Sequence, residues 1–202
     1  MKVLTLSQEM LEFHAKELYL AIEKDNFHAD IIIGVATGGV YVSRPIHTLL
    51  KQSSWQGQYH EITLSRASSK VKKTFRLKML LRYLPYALLN LLRVVESTLF
   101  ERLKPKIYSP HKEKQSILSS SLIVQIKEAQ SILLIDDAID TGATLLAIKN
   151  VIQSINVEIQ TKIAVLTVTH KAPYIQADYS LFDRVLLRCP WAEDYKGSDK
   201  IG

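Results

Sequence analysis

Cysteine is almost absent from this chain: among 202 residues only Cys189 carries a thiol. An intramolecular disulfide is thereby excluded, and with it the small secreted scaffolds that depend on one. A lone thiol beside Pro190 reads better as a small buried residue than as a nucleophile. The six histidines show no paired ligand spacing, so no built-in zinc site is expected. Apolar runs of the roughly 20 uninterrupted residues that a bilayer span needs are missing too. There is no internal repeat, no low-complexity tract, and no apolar signal ahead of the amphipathic segment at 6–24. The chain is therefore expected in the cytoplasm. Its length suits one well-buried α/β domain with an appendage.

What the sequence does contain is concentrated first in residues 131–144, SILLIDDAIDTGAT. Residues 131–135 form the short aliphatic run of a parallel strand buried on both faces, and 143–155 follow with helical spacing. The turn between them thus joins strand to helix, and in open α/β sheets ligands bind at such turns. Gly142 permits a positive φ and a close approach. The amides of residues 141–144 open the helix and favour an anion, and Thr141 and Thr144 add hydroxyl donors. Asp136 and Asp137 would repel a phosphate, so they suit neutral sugar hydroxyls or a divalent cation. One ligand bearing both a phosphate and a diol satisfies both halves.

This run resembles the phosphoribosyl diphosphate signature of the type I phosphoribosyltransferases: an aliphatic strand, two acidic residues, then Thr-Gly and another small hydroxyl residue. The resemblance implies that Asp136 and Asp137 bind the ribose 2- and 3-hydroxyls, and a magnesium ion as cofactor. It further implies that Asp140, Thr141, Gly142, Ala143 and Thr144 cradle the 5-phosphate. Asp140 before Thr-Gly is similar to the 6-oxopurine members, which use hypoxanthine, xanthine or guanine. There the carboxylate is the proposed catalytic base beside purine N7; Asp is also a good helix N-cap, and the two roles are compatible.

Two further segments fall in the order of that family. Residues 30–43, DIIIGVATGGVYVS, read as a buried strand, a glycine-rich turn and a helix running to about Leu50. By resemblance Ala36, Thr37, Gly38 and Gly39 form the pyrophosphate loop, whose amides would hold the leaving group. Thr37 replaces the usual basic residue, so the leaving charge falls to magnesium or to a basic residue from elsewhere. Arg44 and Arg66 are nearest in sequence. Residues 161–171 form a strand ending in Lys171, and another strand at 184–187 precedes a Cys-Pro-Trp run. Bacterial xanthine-guanine and archaeal hypoxanthine enzymes look similar here. The resemblance implies that Lys171 donates to purine O6 and that the backbone around Leu187 reads the ring edge. Leu186 stands where an aromatic residue is usual, and Trp191 reads equally as a base-stacking ring or as an anchor at the edge of the core.

A segment at about 66–125 exceeds the minimal family pattern. Residues 66–115 hold 13 Lys and Arg against 3 Glu, whereas the rest of the chain holds 13 against 17. Such local basicity points to an anionic partner or to the diphosphate itself. Residues 75–103 read as two apolar helices bent at Pro85. Three roles stand open for them: a hood or dimer interface over the site, a helix on an anionic membrane, or nucleic-acid binding, of which the last is least expected because no reader motif is present.

The sequence thus predicts one domain over 1–202: an α/β fold with a mainly parallel central sheet flanked by helices, a basic helical insertion and a C-terminal hood segment. By resemblance it is a magnesium-dependent phosphoribosyltransferase in purine salvage, using phosphoribosyl diphosphate and a nucleobase and assembling as a homo-oligomer. The insertion is expected to cover the site or mediate self-association and not to be needed for the pocket floor. The alternative is a regulator that binds phosphoribosyl diphosphate or a nucleotide without turnover and contacts nucleic acid or membrane through the insertion.

Overall fold

The computed structural model describes residues 1–63, 84–102 and 118–201, the side chains of 100–102 excepted. In chain order the elements are β1 (Lys2–Thr5), α1 (Gln8–Lys24), β2 (Ile31–Val35), α2 (Gly38–Gln52), β3 (Gln58–Ile62) and α3 (Tyr86–Arg102). They continue with α4 (Ser120–Glu128), β4 (Ser131–Ile139), α5 (Ala143–Ile155), β5 (Gln160–Val168), β6 (Tyr179–Asp183) and β7 (Val185–Arg188).

The apolar runs of β2, β4 and β5 are continuous because helices cover both faces of the sheet they form. Along β4, Ile132 and Leu134 point into one core with α4 and α5. Their neighbours Leu133 and Ile135 point into the other, with α1 and α2. All four are at most 1% exposed, and each such burial stabilises the fold by about 1.5–3 kcal/mol. Helix ends are fixed locally, since the Ser7 side chain caps α1 by accepting from the Met10 amide and Ser119 caps α4 by accepting from Leu122.

The five-stranded sheet has the order β3-β2-β4-β5-β6 and is parallel throughout. From β2 the chain moves outward to β3, then returns to lay β4 on the other side of β2. The strand order reverses between β2 and β4, and the crevice at their carboxyl ends is the expected ligand position.

Three details differ from the sequence reading. Strand β4 runs through the acidic pair to Ile139, with Asp136 opposite Val165 and Ala138 opposite Thr167, because β5 continues the ladder that far. Strand β7 leaves the main sheet and pairs with β1, Leu4 opposite Leu187, in a separate two-stranded sheet. Pro85 stands directly before α3, and its carbonyl accepts from the Leu88 and Leu89 amides at 3.0 and 3.1 Å. Proline fits there because the first helical turn has no use for its missing N–H. Of the expected bend, residues 75–83 lie outside the described residues.

Candidate active site

Two strand-to-helix turns meet at the reversal point. Gly38 and Gly39 open α2 and lie against the end of β4: a Cβ at Gly39 would sit 2.5 Å from the Ile135 carbonyl oxygen, and one at Gly38 would sit 2.2 Å from Asp137 Cγ. Any larger residue would push the turn off the strand, which is the physical reason for a Gly-Gly pair here. The Asp136 carboxylate accepts from the Asp137 amide at 2.9 Å. Burial pushes the Asp137 carboxyl above the usual carboxylate range, and the charge of Asp140 adds to the rise against the opposing bond to Asp136.

Of the four pyrophosphate-loop amides expected to face a ligand, one does not. Ala36 donates to the Ile62 carbonyl at 2.8 Å, extending the β2–β3 ladder by one bond. Thr37, Gly38 and Gly39 remain at the open N-terminus of α2, where helical geometry provides no internal partner. The Ala36–Thr37 peptide is cis.

The second turn behaves similarly. Gly142 has φ of 75°, the left-handed region that favours glycine, and serves as N-cap of α5. Thr141 accepts from the Tyr174 amide at 2.8 Å, and its hydroxyl lies 3.4 Å from the Ala143 amide. Asp140 is exposed, and Thr169, itself 4% exposed, donates its hydroxyl to Asp140 Oδ1 at 2.5 Å.

Beyond Asp140 opens a cavity of about 610 Å³. It is lined by Asp140, Thr141, Thr169, His170, Leu186 and residues 191–194, and from α3 by Leu89, Leu92, Arg93, Glu96 and Ser97. The helix of the insertion thus lines the cavity beside the turns. Its helix is fastened by a polar network: Arg93 grips Asp194 through Nε at 2.9 Å and Nη2 at 2.5 Å, and its Nη1 donates to the Leu187 carbonyl at 2.9 Å. From the opposite side Arg188, fully buried, donates to Asp194 Oδ2, to Asn90 Oδ1 and to the Thr5 hydroxyl. Its guanidinium also lies 4.6 Å from the Tyr86 ring centre. Burial acts on Asp194 most strongly and upward, but Arg93 and Arg188 together outweigh it and hold the carboxyl below its usual range.

The sequence-predicted residues fall at different distances from the cavity. Arg44 is engaged by Glu61 through two bonds of 2.8 and 2.9 Å and sits on the exposed side of α2. Arg66 lies outside the described residues. Lys171 is exposed in the turn after β5 and does not line the cavity, whereas its neighbour His170 does. The Leu187 carbonyl already accepts from Arg93. Trp191 lines the cavity and stacks on Tyr41 with ring centres 4.7 Å apart and planes at 13°. Arg93, Thr169 and Arg188 were not recognised from sequence; only Arg93 left a trace there, as a charge interrupting an apolar helix.

Among the described residues no group of three or more His, Cys, Asp or Glu gathers to hold a metal, and no helix is long and apolar enough to cross a membrane. No curated protein matches the chain. The solved structures show the fold. A purine phosphoribosyltransferase from Pyrococcus horikoshii is similar at 18% identity and TM-score 0.56, with 95% of each chain covered. A xanthine-guanine-hypoxanthine phosphoribosyltransferase from Helicobacter pylori is similar at 16% identity and TM-score 0.53, covering 93% of this chain and 90% of that one. A hypothetical protein from Neisseria gonorrhoeae with bound ppGpp gives 13% identity and TM-score 0.55, covering 95% and 90%. The family described as phosphoribosyl transferase domain matches residues 6–193. With nearly its whole length matched and its two glycine turns meeting over an acidic strand end, the chain belongs to the phosphoribosyltransferase family of enzymes.

Proposed function

We propose that this enzyme transfers the phosphoribosyl group of phosphoribosyl diphosphate to a 6-oxopurine and releases diphosphate, a purine-salvage reaction. The observation that carries the reading is the convergence of two helix N-termini, α2 and α5, on the Asp136–Asp137 strand end, with the cavity directly beyond Asp140. Asp136 and Asp137 accept from the ribose hydroxyls. The amides at the start of α5, with Thr141 and Thr144, take the 5-phosphate, and Thr37, Gly38 and Gly39 take the diphosphate. As the sugar carbon parts from the diphosphate oxygen it bonds to a purine nitrogen, and Asp140, oriented by Thr169, takes the purine proton. Fixed dipoles suit this reaction because they are aimed before charge develops.

The donor set fits magnesium, which binds through one or two carboxylates and substrate phosphates. Asp136 and Asp137 would hold it, and the burial that raises the Asp137 carboxyl is a cost that a divalent cation would relieve. When bound, the ion supplies positive charge for the leaving group.

A diphosphate-release assay with phosphoribosyl diphosphate, magnesium and a panel of bases tests the reading. Hypoxanthine, guanine or xanthine should support release faster than adenine. Equal release with adenine would contradict it. A second reading, nucleotide binding without turnover, draws on Lys171 lying outside the cavity and on the ppGpp bound by the Neisseria protein. Tight binding of nucleotides with no release for any base would favour it. Leu88, Leu91, Val95 and Leu99 lie exposed on α3 and support the expected homo-oligomer, which light scattering of a polar variant of that face would test.

A further inference from the structure

The inserted helix places one cation in the wall of the acceptor cavity. The Arg93 side chain is 27% exposed and lines the cavity together with Leu186 and Trp191. A guanidinium carries five N–H donors in one rigid plane. Three of these are engaged, by the two Asp194 oxygens and the Leu187 carbonyl. The other two, one on each terminal nitrogen, have no partner among the described residues. The plane is held in place because Arg188, buried behind it, fixes Asp194 from the far side.

The same bonds engage the buried acceptors beside Arg93. Both Asp194 oxygens accept from guanidinium groups, and the Leu187 carbonyl accepts from Arg93. Glu96 and Glu193 also border the cavity and are exposed. Among the described residues Arg93 is the one Lys or Arg in the lining, so its uncommitted N–H groups are the charged donors there. A carbonyl oxygen of the purine brought against them would accept an N–H, whereas an amino group would meet donor with donor after losing its own water.

We infer that Arg93 is a specificity-determining residue of the acceptor site, and that it selects a purine with a second carbonyl oxygen, as in xanthine, over one with an amino group there, as in guanine. This rests on the phosphoribosyl-transfer reading above. The acceptor cavity is thereby tuned by a residue of the insertion rather than by the turns that hold the sugar phosphate.

The test compares the full-length protein with Arg93→Met and Arg93→Lys, measuring kcat and KM for xanthine and guanine and calorimetric affinity for their 5′-monophosphates. The native chain should favour xanthine by about tenfold or more, since a site built to bond an oxygen rejects an analogue lacking it. Arg93→Met should bring that ratio close to one, chiefly through KM for xanthine, with a parallel loss of preference between the monophosphates. Arg93→Lys keeps the charge without the plane and should give an intermediate ratio; it decides the question alone if Arg93→Met does not fold. A native preference for guanine, or a ratio unchanged in the folded variants, overturns the inference while leaving phosphoribosyl transfer intact. Absence of both turnover and monophosphate binding in the native chain overturns the two together.

Discussion

The carboxyl end of β2 and β4 and the hood above it are built by different kinds of force. The first is made by steric contact: the Gly38–Gly39 turn lies so close to the end of β4 that a single added carbon would collide with the Ile135 carbonyl or the Asp137 carboxylate. The second is held by polar bonds, such as Arg93 with Asp194 and Asn90 with Arg188. The contrast teaches where each property of the enzyme resides. Under the proposed function the strand end would fix the sugar-phosphate chemistry, and the hood would shape the cavity for the base.

Replacing the strand-end base should have the largest effect. Asp140→Asn should lower kcat by about a hundredfold or more with the melting temperature retained, because general-base groups contribute on that scale. Stopped-flow or steady-state diphosphate release checks it. If activity were intact, proton transfer would not belong to this end of the sheet.

The hood is tested by Asp194→Asn, which leaves Arg188 buried beside a neutral partner and should cost about 3–5 kcal/mol in denaturant unfolding. The sign of its pH dependence follows from the lowered Asp194 carboxyl. A depressed carboxyl stabilises the fold above the ordinary Asp value near ~4 and loses that contribution as pH falls further. The gap between native and variant stability should therefore shrink between about pH 5 and pH 3. A gap constant over that range would show that the charge of Asp194 does not fasten the hood.

How much of this was legible in the sequence follows the same division. The strand and helix around residues 131–155 could be read because apolar periodicity and a Thr-Gly turn are local signals, and α5 begins and ends where spacing placed it. The loss of the Ala36 amide to Ile62 and the placing of β7 beside β1 depend on partners distant in sequence, which no local pattern reports. Arg93 looked like an interruption of an apolar helix because its carboxylate partner lies 101 residues away. Arg44 looked available for the diphosphate because its claim by Glu61 of β3 is visible only once the sheet is formed.

A smaller effect is expected from Gly38→Ala. Its methyl group would meet the Asp137 carboxylate, so overpacking should cost about 1–3 kcal/mol and weaken phosphoribosyl diphosphate binding together with stability. Thermal unfolding with and without ligand would report both. The smallest effect belongs to Arg44→Ala, since an exposed ion pair contributes less than about 1 kcal/mol. Diphosphate release should stay within about threefold of native. A large loss would return Arg44 to the leaving-group site.

The central claim is that the β2–β4 reversal point holds phosphoribosyl diphosphate by its ribose. Calorimetric titration of phosphoribosyl diphosphate with magnesium into the native chain and into Asp136→Asn/Asp137→Asn tests it most directly. The native chain should bind, and the double variant, still folded by circular dichroism, should lose affinity by about a hundredfold or more, as for two charge-assisted sites removed together. Equal affinity in the two proteins would contradict the account.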